Sequence, residues 1–210
     1  MFHIQIVGRK QVLWFGRFFA GILLLNISLP AWAQNSDFDA CLAFDRPACN
    51  AVLQAEPDNL TALFMRGLAA ELEGDDAAAL KDFDATAAKE PRHFGAQLWR
   101  QVAAAALNDS RADDLTAYLA GAKQLPPWPR VLAELYLGQA DGAAVLTLAQ
   151  AQPQTAQAEA VCAAEYHVGR QAYLKGDVAG AMAHFRNALA TGATHVFEYQ
   201  AAERAVSGAK

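Results

Sequence analysis

Beyond the apolar N-terminal stretch, large apolar and polar side chains recur three and four residues apart. Phe64, Leu68 and Glu71 follow that spacing, and so do Tyr166, Arg170 and Tyr173. Each trio therefore shares one face of an α-helix. No stretch alternates apolar and polar residues over the length of a strand, and Val and Ile are sparse after the N-terminal segment. Alanine dominates instead, in runs such as Ala77-Ala78-Ala79 and Ala103 to Ala106. It is the strongest helix former, and its small side chain lets helices approach closely. The pattern predicts an all-α chain.

The helical pattern repeats. One segment runs Gly67, Gly74-Asp75, Ala79, Phe83 and Pro91; another runs Gly169, Gly176-Asp177, Ala181, Phe185 and Ala188. The two glycines, the Gly-Asp pairs, the alanines and the phenylalanines are each 102 residues apart, three times thirty-four. Gly67 and Gly169 permit close contact between two helices, with Phe83 and Phe185 filling the space between them. Gly74 and Gly176 suit the left-handed conformation that ends a helix. Asp75 and Asp177 can then accept the free N–H groups of the next helix. Two less regular units lie between. Residues 94–127 carry Trp99, Leu107, Asn108-Asp109, Leu115, Tyr118 and Leu119 and close on Pro126-Pro127. Residues 128–161 carry Trp128, Leu132, Leu135 and Tyr136, with an early turn at Gly138 to Gly142 that predicts a short first helix. A loop is expected from Pro153 through the Gln/Ala/Thr stretch after it. A last helix is expected over roughly Val196 to Val206, with Phe197 and Ala201 inward and Glu198, Glu203 and Arg204 outward.

A thirty-four-residue period with these residues resembles the tetratricopeptide (TPR) family. The resemblance covers about Leu60 to Thr194, with two good and two degenerate units. It implies a right-handed superhelical solenoid of roughly four and a half antiparallel helix pairs, layered as a truncated first hairpin (34–59), repeats (60–195) and a capping helix with its tail (196–210). In such stacks the first helix of each pair lines a concave, partner-binding groove. That would place Tyr166, Arg170 and Tyr173 in the groove, with Phe64, Leu68, Glu71 and Tyr136 beside them. Tyr and Arg concentrate binding energy, although Tyr166 and Tyr173 are also read as ordinary packing between repeats. The stretch Cys162 to Gly169, followed by Leu174-Lys175-Gly176-Asp177, is similar to periplasmic TPR adaptor lipoproteins that dock envelope proteases and peptidoglycan hydrolases. Those proteins carry a lipid-attachment cysteine after the leader, and this chain does not. The resemblance thus implies an adaptor or scaffold that binds a protein or peptide, with no membrane anchor in the mature form.

The N-terminus changes the picture of location. Arg9, Lys10 and Arg17 precede an apolar stretch from Phe18 through Leu29, too short to span a bilayer comfortably. Ala31 and Ala33 then supply the A-x-A pattern of a cleavable signal peptide, residues 1–33, with the mature start at Gln34; an uncleaved anchor is the alternative. A periplasmic or secreted protein is expected. The chain has 17 basic and 22 acidic residues, and the leader takes three of the basic ones, leaving a formal net charge of −8. Such a balance argues against nucleic acid and anionic membranes as partners, since both need a basic patch.

Cys41 and Cys49 would stand about 12 Å apart on one helix, beyond disulfide reach. Asp45-Arg46-Pro47 between them suits a turn into a new helix. A hairpin of Asp37 to Phe44 against Pro47 to Gln54 would bring the sulfurs together, and an oxidising compartment favours the bond. Two buried free thiols are the alternative. The C-x7-C spacing is similar to the stapled Sel1-like repeats, relatives of TPR. Cys162 is left over, either packed as a small apolar residue or available for an intermolecular bridge.

Catalytic patterns are missing. His93, His167, His184 and His195 form no H-E-x-x-H, and no C-x-x-C, G-x-S-x-G or P-loop is present. His184 and His195 read as solvated or capping residues. Asp82 with Asp84, and Asp113 with Asp114, read as solvated helix charges, because neighbours one or two apart do not share a helix face. No enzyme activity, cofactor or metal is expected. Self-assembly into a homo-oligomer is the second reading, and a small-molecule or metal-binding module the third.

Overall fold

The structure, a computed structural model, describes residues 31–208. They form eleven α-helices with no strand among the described residues: α1 Ala31–Leu42, α2 Arg46–Ala55, α3 Leu60–Glu73, α4 Asp76–Lys89, α5 Phe94–Ala106, α6 Ala112–Gly121, α7 Pro127–Tyr136, α8 Gly142–Gln150, α9 Gln154–Leu174, α10 Val178–Ala190 and α11 Phe197–Gly208. The signal-peptide reading falls, up to residue 30, outside the described residues.

Helix boundaries follow short polar residues. Asp45, Asn59, Asp75, Asp141 and Asp177 each accept a hydrogen bond from the backbone N–H three residues on, and the His93 ring nitrogen does the same. Gly74 and Gly176 end α3 and α9 at φ of 75° and 84°, the left-handed region where glycine carries no Cβ penalty. These turns, two residues long after α3 and three after α9, fold α3 back on α4 and α9 back on α10. Both hairpins close on the same contact. A Cβ on Gly67 would stand 2.6 Å from the Phe83 ring, and one on Gly169 would stand 2.9 Å from the Phe185 ring.

Consecutive helices pack on one another along the chain, and the two α1–α2 cysteines are joined. Cys41 and Cys49 form a disulfide across Cα atoms 4.6 Å apart, buried in a small core with Val52, Leu53, Ala62 and Leu63. Ion pairs add ties between neighbouring helices. Arg66 on α3 forks onto both carboxylate oxygens of buried Asp82 on α4 at 2.7 Å. Arg100 on α5 bonds Asp84 on α4 and Asp114 on α6. The expectation of solvated charges is thus corrected for Asp82, and Asp84 is half-buried and paired. An Arg fork matches a carboxylate in two places, so each such pair fixes how two helices sit side by side.

Two expectations about boundaries change. The residues after Pro153 are not a loop: α9 starts at Gln154 and runs for 21 residues. Pro tolerates a helix start, and the Gln/Ala/Glu-rich stretch behind it favours helix. Cys162 therefore sits inside α9. The last helix, expected as a cap, is more central than that. α11 packs on α9, α10 and α3, and Phe197 at its start reaches the rings of Phe44 at 5.2 Å and Trp99 at 5.0 Å. Phe44 holds a left-handed conformation (φ 64°), unfavourable for a residue with a Cβ by about 1–2 kcal/mol. Its edge-to-face contact with Phe197 ties the α1–α2 turn to the far end of the chain.

Candidate functional site: the seam closed by the last helix

α9 carries the trio that sequence periodicity placed on one face, and that face runs from the core at Tyr166 to the surface at Tyr173. Tyr166 is buried, with its ring against Trp99 and Phe185. Next to it, His167 is wholly buried and shares a hydrogen bond of 2.9 Å between its Nδ1 and the Tyr136 hydroxyl. One turn on, Arg170 reaches across to α3 and donates through one nitrogen to Glu71 at 2.9 Å and to Asp76 at 3.1 Å. The sequence separation of the Arg170–Glu71 pair is 99 residues, so this bond joins the first full hairpin to the last.

The electrostatics follow from burial. Desolvation pushes Glu71 up to about 7, against the attraction of Arg170 and with the help of the neighbouring Asp76 carboxylate. Burial works against the Arg170 charge, but Glu71 and the surrounding acidic groups outweigh it and hold the guanidinium protonated. Burial, reinforced by nearby charge, also raises Tyr136 and Tyr166 well above the usual tyrosine range. These two phenols stay neutral and act as hydrogen-bonding and packing groups.

The groove residues expected from sequence are thereby sorted. Leu68, Glu71, Tyr136 and Tyr166 are buried, which corrects their placement on an open partner-binding surface. α11 packs over Glu71, and Tyr136 and Tyr166 belong to the aromatic cluster with His167 and Trp99. Phe64 is half-buried on Phe83 and His93, and Arg170 is occupied by carboxylates. Tyr173 is the exposed one, at 48%. It stands with Arg170, Val178, Met182, Phe185, Ala205 and Gly208 around a groove of about 510 Å³ between α9, α10 and α11.

The remaining candidates are structural. His184 is half-buried and 2.6 Å from Glu165, and His195 is exposed and 2.9 Å from Glu159. His93 caps α5. Cys162 is buried, and desolvation pushes its thiol up to about 11, so little thiolate forms to build an intermolecular bridge. Among the described residues, no group of three His, Cys, Asp or Glu side chains is placed to hold a metal ion. None of the helices there is long and apolar enough to cross a membrane. Sequence reasoning missed Trp99 as the hub and His167 as a buried polar residue. A helical face reads the same whether it lines a groove or a core, so no local signal separates the two.

Known protein families and curated proteins were both searched with this chain, and neither search found a match.

Proposed function

We propose that this chain is an exported helical-repeat protein of the TPR kind that acts as an adaptor or scaffold for a protein partner in the bacterial cell envelope. One observation carries the binding reading. Only four large hydrophobic residues are exposed among the described ones: Leu42, Leu107, Tyr173 and Val178. Tyr173 and Val178 line the same groove, with Met182 and Phe185 deepening it and Arg170 at its edge. A tyrosine beside an apolar cleft and an arginine is a composition that concentrates binding energy. Export is supported by the Cys41–Cys49 bridge, which persists in an oxidising compartment, together with the signal-peptide pattern before Gln34. The two hairpins built alike 102 residues apart support the repeat class.

The test is co-purification. The full chain, tagged at its C-terminus through a long linker, is expressed in a Gram-negative envelope, briefly cross-linked and recovered. A protein that co-purifies with the unaltered chain and is lost from the double variant Tyr173→Ser, Val178→Ser establishes the groove as the adaptor site. The variant's circular dichroism must be unchanged for that comparison. Recovery of the chain bound only to itself moves the function to self-assembly and removes the adaptor reading.

A further inference from the structure

Three buried polar side-chain atoms among the described residues lack an ordinary hydrogen-bond partner: His167 Nε2 and Arg170 Nε have none, and Glu71 Oε2 has only the neighbouring Asp76 carboxylate, to which it donates when protonated. Buried polar groups are nearly always paired, so three together need a cause. All three stand beside α11. His167 Nε2 is 3.7 Å from the Glu198 carboxylate, too far for a hydrogen bond. Glu71 lines a cavity of about 260 Å³ against Ala201, Arg204 and Ala205. Arg170 lines the larger groove against Ala205 and Gly208. The Glu71 and His167 side chains are 3% and 1% exposed.

α11 therefore fits its seat by apolar contact and fails it in polar contact. Its large buried anchor is Phe197, held edge-on between Phe44 and Trp99. The rest of its buried face is Ala201 and Ala202, side chains too short to reach the groups beneath. Alanines fill little of the space against α3, which is why a cavity remains there.

We propose that the face under α11 is a binding seat for an amphipathic helix of the protein partner, and that α11 is its resident, displaceable occupant. The chemistry of the occupant follows from what α11 supplies and lacks. It needs an aromatic side chain in the Phe197 slot, a longer-reaching hydrogen-bonding group at the Glu198 position to meet His167, and an acceptor two turns on, where Ala205 stands, to meet Arg170. A donor, or space for water, would satisfy Glu71. Displacement would uncover Glu71, His167 and Arg170 together. This rests on the adaptor reading but is tested on the chain alone, so its failure leaves the Tyr173–Val178 co-purification result standing.

The probe is a fluorescent synthetic peptide of residues 196–208, titrated by anisotropy into the full chain and into its Phe197→Ala variant. The variant, with its own α11 weakened, should bind the peptide at least tenfold more tightly than the unaltered chain. A peptide that itself carries Phe197→Ala should bind neither. Where Phe197→Ala disturbs the fold by circular dichroism, Glu198→Ala replaces it, since that half-buried residue leaves the aromatic slot intact. Hydrogen exchange on the unaltered chain gives the independent reading: α11 amides should exchange through a local opening, at least tenfold faster than those of α3 and α4. A folded variant that refuses the peptide, or α11 amides that exchange only with global unfolding, overturns the proposal. A dimer that grows with concentration and is dissolved by the peptide also overturns it, because the seat would then belong to a second copy.

Discussion

The α3–α4 and α9–α10 hairpins are built alike and placed differently. Each has a glycine under a phenylalanine ring, Gly67 with Phe83 and Gly169 with Phe185. Both first helices end on a left-handed glycine, and both second helices begin on an aspartate cap. Each second helix is also tied to its first from the same position: Asp82 on α4 takes Arg66, while His184 on α10 bonds Glu165, which stands one turn earlier on its helix than the place matching Arg66. The outer positions share only an aromatic ring, Phe64 matching Tyr166. Where α3 has Phe64, Leu68 and Glu71, α9 has Tyr166, Arg170 and Tyr173. A hairpin's internal geometry is thus set by its motif, and its remaining face records which neighbours it meets. Here the two faces meet each other across α11, where Glu71 of one hairpin binds Arg170 of the other.

The largest test of that likeness is removal of the shared ring. Phe83 is wholly buried, with Phe64 on one side and Trp99 on the other. Phe83→Ala should cost about 4–5 kcal/mol in urea unfolding, at the upper end for a buried phenylalanine. Phe185 fills the same slot but borders the open groove. Its alanine variant should cost about 3 kcal/mol, because water can enter the space vacated. Equal costs would mean that the groove is closed in solution.

A second test isolates the difference between the hairpins. Folding raises Glu71 to about 7 from an ordinary 4.5. Below 4.5 the group is protonated in both states and has no effect. Between 4.5 and 7 the unfolded chain ionises first, so stability falls as pH rises. Above 7 the loss is complete, about 3 kcal/mol. Glu71→Gln should abolish this part of the pH profile and be the more stable protein at pH 8, since glutamine can still accept from Arg170 and donate to Asp76. Equilibrium unfolding of both chains from pH 5 to 8.5 measures it. Parallel profiles would show that Glu71 ionises freely and that the seam is wetter than its 3% side-chain exposure indicates.

How much of this was legible beforehand divides along the same line. The hairpins were readable because their signals are local: Gly74 and Gly176, Asp75 and Asp177, and the Gly–Phe spacing act within one turn or between adjacent helices. The Cys41–Cys49 staple was readable for the same reason, with Asp45 and Pro47 marking the turn between the two cysteines. The seam was not. Whether Tyr166 faces a groove or a core depends on where α11 lies, thirty residues further on, and on Trp99 from a degenerate unit. Arg170 gave the same ambiguity, because an arginine at a groove position and one paired with a glutamate 99 residues away have the same neighbours in sequence. Pro153 misled in the opposite direction, since proline both breaks helices and begins them.

The smallest effect is the one that bears most directly on whether the hairpins are equivalent. Gly74 and Gly176 have φ of 75° and 84°, and a Cβ added at either meets no atom within 4 Å. Steric contact therefore cannot distinguish them, and only the backbone conformation opposes a side chain. Gly74→Ala and Gly176→Ala should each cost about 1 kcal/mol, and the two costs should agree within about 0.3 kcal/mol. Thermal unfolding of both variants at one pH reads the difference directly. Asn in place of Ala should recover part of each loss, because its side chain tolerates the left-handed region. A larger cost at Gly74 would mean that the α3–α4 turn is held by something beyond its motif. The nearest candidate is Arg46, which reaches from α2 to Glu73 and Asp75 on either side of that glycine and has no counterpart at the α9–α10 turn.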